Sequence, residues 1–209
     1  MKYLVLLLTL TTFYTFGQDA KSQGILDKLS AKIKGLNSFY MEFNATISAA
    51  NGKTESEIGK GWVKGNKFSA IYGDITILSN GLKQWTIVKE DKSVYESDAS
   101  KSEDMINPKK LMTIWEKDFK NIFEKEEKLD GLVVSKIRLV PTNPKKAEYH
   151  TIYVYITKAT NELKRAVVKM KSGTTMTYTL TKFVENADVD DASFVYNPKK
   201  YPGYDLVKD

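Results

Sequence analysis

Two hydrophobic periods divide the chain. In Ala20–Asn37 the apolar residues Ile25, Leu29, Ile33 and Leu36 recur every three to four positions, with Leu26 at the edge of the stripe, which predicts one amphipathic helix. From Ser38 the period drops to two. Phe39, Met41, Phe43, Ala45 and Ile47 alternate with Tyr40, Glu42, Asn44, Thr46 and Ser48, the pattern of a half-buried strand, and Asn51-Gly52 after it signals a hairpin. The same grammar repeats. Strands are predicted over 55–64, 67–72, 75–79, 82–88 and 93–96, the first four followed by the turn segments Gly65-Asn66, Gly73-Asp74, Asn80-Gly81 and Glu90-Asp91-Lys92. Residues 102–119 break the pattern. Pro108 suits a first helical turn, Asn107 suits its cap, and Leu111, Met112, Ile114 and Trp115 give it an apolar face. Strands return over 121–129, 132–140, 149–157, 163–171 and 174–184, and a tail follows around Phe194-Val195-Tyr196. Tight turns between consecutive strands imply an antiparallel meander rather than βαβ units. The expected fold is mainly β (α+β): an open antiparallel β-barrel of about eleven strands covered by two or three helices.

The first seventeen residues stand apart. MKYLVLLLTLTTFYTFG places Lys2 before an apolar run, with Thr15 and Gly17 at small-residue positions, which reads as a signal peptide cut near Gly17/Gln18. The run is too short for a membrane-spanning helix, which needs about 20 residues. That leaves one expected domain, 18–209, working outside the cytoplasm. The chain has no Cys, so neither a disulfide nor a lipid-bearing N-terminal Cys is available. The core alone must hold the mature fold.

Composition narrows the chemistry. Lys and Arg total 32 against 26 Asp and Glu, a net of +6, and only Arg138 and Arg165 are Arg. A dispersed Lys excess suits solubility and does not form the concentrated footprint of a nucleic-acid binder. The single His, His150, opens a strand, and no Gly-x-Ser-x-Gly elbow accompanies it, which leaves a serine triad unsupported. Glu124, Glu126 and Glu127 alternate with Lys125 and Lys128 and read as a charged face. Asp188, Asp190 and Asp191 lack the Gly and distal Glu of an EF-hand loop. No cofactor, metal site or phosphate loop is expected, and a carboxylate hydrolase has no supporting pair.

The aromatic and Met residues tell more. Phe39, Met41, Phe43, Trp62, Phe68, Trp85, Tyr153, Tyr155, Met176 and Tyr178 sit at alternating strand positions. A curved sheet of about eleven strands is too wide for side chains alone to fill, so it takes a helix or keeps a cavity. A lining of Met and aromatic residues suits varied apolar ligands, because Met repacks at low cost.

The order of features resembles the periplasmic outer-membrane lipoprotein carrier protein (LolA) family over nearly all of 18–209. The segments that carry the resemblance are AKIKGLNSFYMEF (31–43), GKGWVKGNKFSA (59–70), ILSNGLKQWTI (77–87) with VYESD (94–98), INPKKLMTIWEKDF (106–119), VSKIRLVPTNP (134–144), ELKRAVVKM (162–170), Asp191-Ala192-Ser193-Phe194 and Tyr201-Pro202-Gly203-Tyr204. The resemblance implies an open barrel with helices over a hydrophobic cavity. It implies a non-enzymatic chaperone that shields lipoprotein acyl chains and carries them across the periplasm to the outer membrane. The implied partners are lipoproteins, an inner-membrane ABC transporter and an outer-membrane receptor, with a monomeric carrier, transient membrane contact and no nucleic acid. The alternative is a non-catalytic envelope binding or sensor module for another acylated molecule. The expected cavity residues are Phe39, Met41, Phe43, Trp62, Phe68, Trp85, Met112, Trp115, Tyr153 and Tyr155. Well-studied members carry an Arg near position 65, where this chain has Gly65, and Lys64 and Lys67 are the expected substitutes for its contact with the lid.

Overall fold

A computed structural model describes residues 19–100 and 112–208. The leader with its cut, and most of the helix expected over 102–119, lie outside the described residues. α1 spans Ala20–Gly35. Asp19 caps it by accepting a hydrogen bond from the Lys21 N–H at 3.0 Å. Its buried stripe, Leu26, Leu29 and Ile33, faces the sheet, while Lys28 and Lys34 face water.

Among the described residues, twelve strands form one sheet: β1 (Ser38–Ser48), β2 (Thr54–Lys64), β3 (Lys67–Tyr72), β4 (Ile75–Ser79), β5 (Lys83–Val88), β6 (Ser93–Asp98), β7 (Phe119–Leu129), β8 (Leu132–Pro141), β9 (Tyr149–Thr157), β10 (Leu163–Met170), β11 (Thr175–Glu185) and β12 (Asp205–Lys208). The spatial order is β12-β6-β5-β4-β3-β2-β1-β11-β10-β9-β8-β7. Two meanders therefore meet where β1 pairs with β11, and β7 and β12 remain apart as the two edges. The sheet is an open barrel, as the alternation predicts, with one strand more than expected. β12 is the addition. It joins β6 in parallel, whereas the other strand pairs described are antiparallel, and no local turn signals it. Hairpin turns follow the sequence closely. Asp130 (φ 50°) and Gly131 (φ 80°) both take the left-handed conformation that a two-residue hairpin requires between β7 and β8.

Each face of the sheet buries its own cluster. On the inner face, Leu26, Leu29 and Ile33 of α1 share one buried cluster with Phe39, Met41 and Phe43 of β1, Phe68 of β3, Ile137 and Leu139 of β8, and Ile152, Val154 and Ile156 of β9. On the outer face, Leu78, Trp85, Ile87 and Val94 of β4–β6 are covered by Tyr196, Tyr201 and Tyr204 of the C-terminal segment. That segment carries two 3₁₀ turns, Asp191–Phe194 and Pro198–Lys200, before β12.

Candidate functional site

The inner face holds an apolar cleft of about 520 Å³, part of it open to solvent. Its walls are Met41 and Phe43 of β1, Ile152 of β9, Leu163, Ala166 and Val168 of β10, and Tyr178 and Leu180 of β11, with Met112 and Ile114 above them. The cleft exists because α1 covers only part of a wide concave face. Phe43 shapes it through a cross-strand row. Phe43 pairs with Gly59 on β2, and Gly59 pairs with Tyr72 on β3. A Cβ added to Gly59 would lie 2.1 to 2.6 Å from three Phe43 ring carbons, so the ring occupies the space that glycine leaves. It stacks on Tyr72 at 6.4 Å and meets Tyr178 edge-on at 6.1 Å.

The segment above the cleft is fastened to α1. Trp115 donates its indole N–H to Ser30 Oγ at 2.8 Å, a buried polar contact inside an apolar cluster. Lys34 Nζ lies 2.7 Å from Glu116 Oε2. Burial opposes the charge on Glu116, but its bonds to Lys34 and Ser30 outweigh that and hold the carboxyl below its usual range. The start of α1 is clasped to the edge strand in the same way. Asp19 Oδ2 accepts the Phe123 N–H at 2.6 Å, and buried Asn121 donates to Gln23 Oε1 at 2.7 Å. Lys32 Nζ ties the other end to Glu162 and Glu185 at 2.8 and 2.7 Å. Helix and barrel are thus joined by polar contacts at the rim and by apolar packing beneath.

Six of the ten expected cavity residues, Phe39, Met41, Phe43, Phe68, Met112 and Trp115, belong to the inner cluster, and Met41, Phe43 and Met112 line the cleft itself. The other four need correcting, because register places them on the outer face. Trp62 pairs across from Tyr40, and the rings lie 4.5 Å apart. Trp85 pairs with Leu78 and donates to Glu96 Oε2 at 2.9 Å. On β9 the buried set is Ile152, Val154 and Ile156, so Tyr153 and Tyr155 turn outward. There Lys136 Nζ sits 4.4 Å from the Tyr153 ring centroid. β9 carries large apolar side chains on both faces, so size gives no parity.

Lys64 and Lys67 correct the expected lid contact. Both grip Asp191 of the C-terminal segment, at 2.9 and 2.5 Å, and Lys64 also donates to the Val189 carbonyl. The bonds from Lys67 first, then Lys64, hold the Asp191 carboxyl at about 2, well below its ordinary value. The two lysines therefore fasten the tail to the outer face; among the described residues, no contact joins either to Met112–Glu116. Cleft residues that sequence reasoning missed include Ile114, Ile152, Leu163, Ala166, Val168, Tyr178 and Leu180. Tyr178 carried a signal, being one of the alternating aromatics, and Leu180 shares its parity. The small and branched residues of β10 gave none. His150 is exposed beside Thr151, and Glu124 pairs with Lys136 and Arg138. No group of three or more acidic or His side chains is placed to hold a metal among the described residues.

The family described as outer membrane lipoprotein carrier protein LolA matches residues 10–174. This chain belongs to the LolA family. The LolA match ends just before β11, so the C-terminal segment that Lys64 and Lys67 hold lies beyond it. Two of the solved structures that share the fold illustrate the likeness. An uncharacterized conserved protein from Thermus thermophilus superposes with a TM-score of 0.58 at 14% identity, covering 90% of this chain and 99% of that one. LprF from Mycobacterium bovis gives 0.50 at 17% identity, covering 83% and 96%. At these identities the likeness is one of fold. Among curated proteins, none matches the chain.

Proposed function

We propose that this LolA-family protein is an exported, non-enzymatic carrier that holds the acyl chains of lipoproteins in its inner-face cleft and delivers them to the outer membrane. One observation carries the reading: the wide concave face keeps an apolar cleft under a helix and a polar-fastened segment. Transfer of an acyl chain out of water is favourable by about 0.8 kcal/mol per CH₂. A carrier must match that stabilisation and still let go. Met41 and Met112 suit both demands, since a thioether chain repacks around a ligand or around its absence. Phe39, Phe68 and Trp115 back the lining from the surrounding cluster. The compartment is the periplasm, with the leader removed near Gly17/Gln18. The partners are a membrane transporter that releases lipoproteins and an outer-membrane receptor that accepts them.

The test uses purified mature protein loaded with a hydrophobic fluorescent dye. A tripalmitoylated cysteinyl peptide displaces the dye at micromolar concentration, and mass spectrometry of the untreated protein finds co-purified acyl chains. A dye that binds and resists displacement overturns the carrier reading.

A further inference from the structure

Among the described residues, the lining of the cleft is apolar, and Tyr178 is the lining residue that also carries a hydroxyl. A second phenol, Tyr72, flanks the same Phe43 ring on its other side. The register explains the pairing. Tyr72, Gly59 and Phe43 lie in one row across β3, β2 and β1, and Tyr178 faces Ala45, one inward-facing position further along β1. Because Gly59 has no side chain, the Phe43 ring settles over it, between Tyr72 at 6.4 Å and Tyr178 at 6.1 Å. Neither phenol finds a hydrogen-bond partner among the described residues. Both are held in the neutral, donating form. Burial raises the Tyr178 pKa, with the neighbouring Tyr72 adding to it, and burial with Glu57 and Glu55 raises that of Tyr72.

Their level in the barrel matters. Toward Met41 the row is wholly apolar. In the other direction, Ala45 pairs with Glu57 and Ile47 with Glu55, so the same face turns acidic within two inward-facing positions. The phenols stand at the boundary between apolar floor and charged rim. A chain laid in the cleft with its head toward water would bring the first polar group of its linkage to that boundary. In an acyl chain this group is the ester or amide carbonyl, an acceptor without a hydrogen to donate, and the phenols are donors that reach solvent and have no protein partner among the described residues.

We infer that Tyr178 and Tyr72 form a carbonyl-recognition station, so that the cleft selects chains joined through an acyl carbonyl over alkyl chains of equal length. The inference rests on the carrier reading and adds a substrate class to it. Tyr178 touches the cleft directly and is the principal donor; Tyr72 is the second.

Monopalmitoylglycerol and hexadecylglycerol test it, because they share head and chain length and differ by one carbonyl. Each is titrated against the dye-loaded mature protein. The wild type binds the ester about fivefold more tightly than the ether, the worth of one neutral hydrogen bond. Tyr178→Phe keeps the ring and shrinks the gap between ester and ether to less than about twofold. Tyr72→Phe shrinks it less, and the double variant abolishes it, while thermal melting of each variant reports that the fold is intact. Equal wild-type affinity for both lipids, or a gap that survives in the double variant, overturns the inference and leaves the carrier reading standing. Failure of both lipids to bind overturns both.

Discussion

Gly59→Ala is the smallest change that probes how the cleft is built. In an ordinary strand, replacing glycine with alanine stabilises by about 0.5–1 kcal/mol, since it removes freedom from the unfolded chain. Gly59 is in β2, outside the left-handed region, so the backbone accepts the substitution. The new Cβ would fall 2.1 Å from Cζ, 2.4 Å from Cε2 and 2.6 Å from Cε1 of Phe43. A rigid ring cannot yield at one end, and the whole side chain must rotate away. Overpacking of this kind costs about 1–3 kcal/mol. The net expectation is a destabilisation of about 0.5–2 kcal/mol.

The sign should reverse once the ring is gone. Phe43→Ala alone costs about 3 kcal/mol, at the low end for a buried Phe, because one side of the ring already faces the cleft. In that background the methyl group added by Gly59→Ala meets no ring, and the substitution should recover about 0.5–1 kcal/mol. The coupling between the two positions is then about 1–3 kcal/mol, well above the usual additivity error. Urea unfolding of the four mature proteins, followed by tryptophan fluorescence and by circular dichroism, measures the cycle. Dye binding on the same samples tracks the cleft, because a rotated Phe43 would intrude on it. Additive effects, or a Gly59→Ala change of the same sign in both backgrounds, would refute the proposed seat of Phe43.

Three further outcomes follow. Trp85→Ala should destabilise by about 3–5 kcal/mol, as for a buried aromatic, and leave dye affinity unchanged because Trp85 packs under the tail on the outer face; a loss of binding at preserved stability would contradict that placement. Ser30→Ala leaves the buried Trp115 indole N–H without its acceptor and should cost about 1–3 kcal/mol in urea unfolding, with Ser30→Thr nearer the wild type. Asp191→Asn should expose the C-terminal segment to limited proteolysis and make this exposure insensitive to salt, whereas in the wild type cleavage rises with salt as the Lys67 and Lys64 pairs are screened.

The alternation from Phe39 to Ile47 was enough to place β1, and β1 carries the wall of the cleft. The same rule failed on β9, where Tyr153 and Tyr155 outweigh Ile152 and Val154 in size yet lose the interior to them. Parity on a strand apolar on both faces is set by its neighbours: Ile152 pairs with Leu139 and Val154 with Ile137, both inward. Trp62 and Trp85 misled for a related reason. A half-buried outer face, covered in one place by Tyr196, Tyr201 and Tyr204, gives aromatic residues a second home that local sequence does not announce. β12 was invisible because four exposed residues joined in parallel to β6 show neither a turn nor a period. Gly59 looked like any strand glycine until the ring above it was seen.

The tail's grip is also a question of pH. Asp191 is held at about 2 in the folded protein against an ordinary value of 3.8, through bonds to Lys67 and then Lys64. Because the folded value is depressed, the pair's contribution is complete above the ordinary value and disappears as pH falls toward about 2. The pair is exposed, so its worth is small and salt-dependent. Its consequence is local: it holds the segment that closes the outer cluster of β4–β6. The tail should therefore become protease-sensitive between about pH 4 and pH 2 while the inner cluster, built without that carboxylate, still melts cooperatively. Asp191→Asn should already show the low-pH pattern at neutral pH. Loss of both clusters in one step across that range, with Asp191→Asn behaving as the wild type, would mean that the two faces of the sheet do not have separable stabilities. Separable faces are what the proposed carrier role needs: the outer cluster would hold β4–β6 in place while the inner cleft changes its contents.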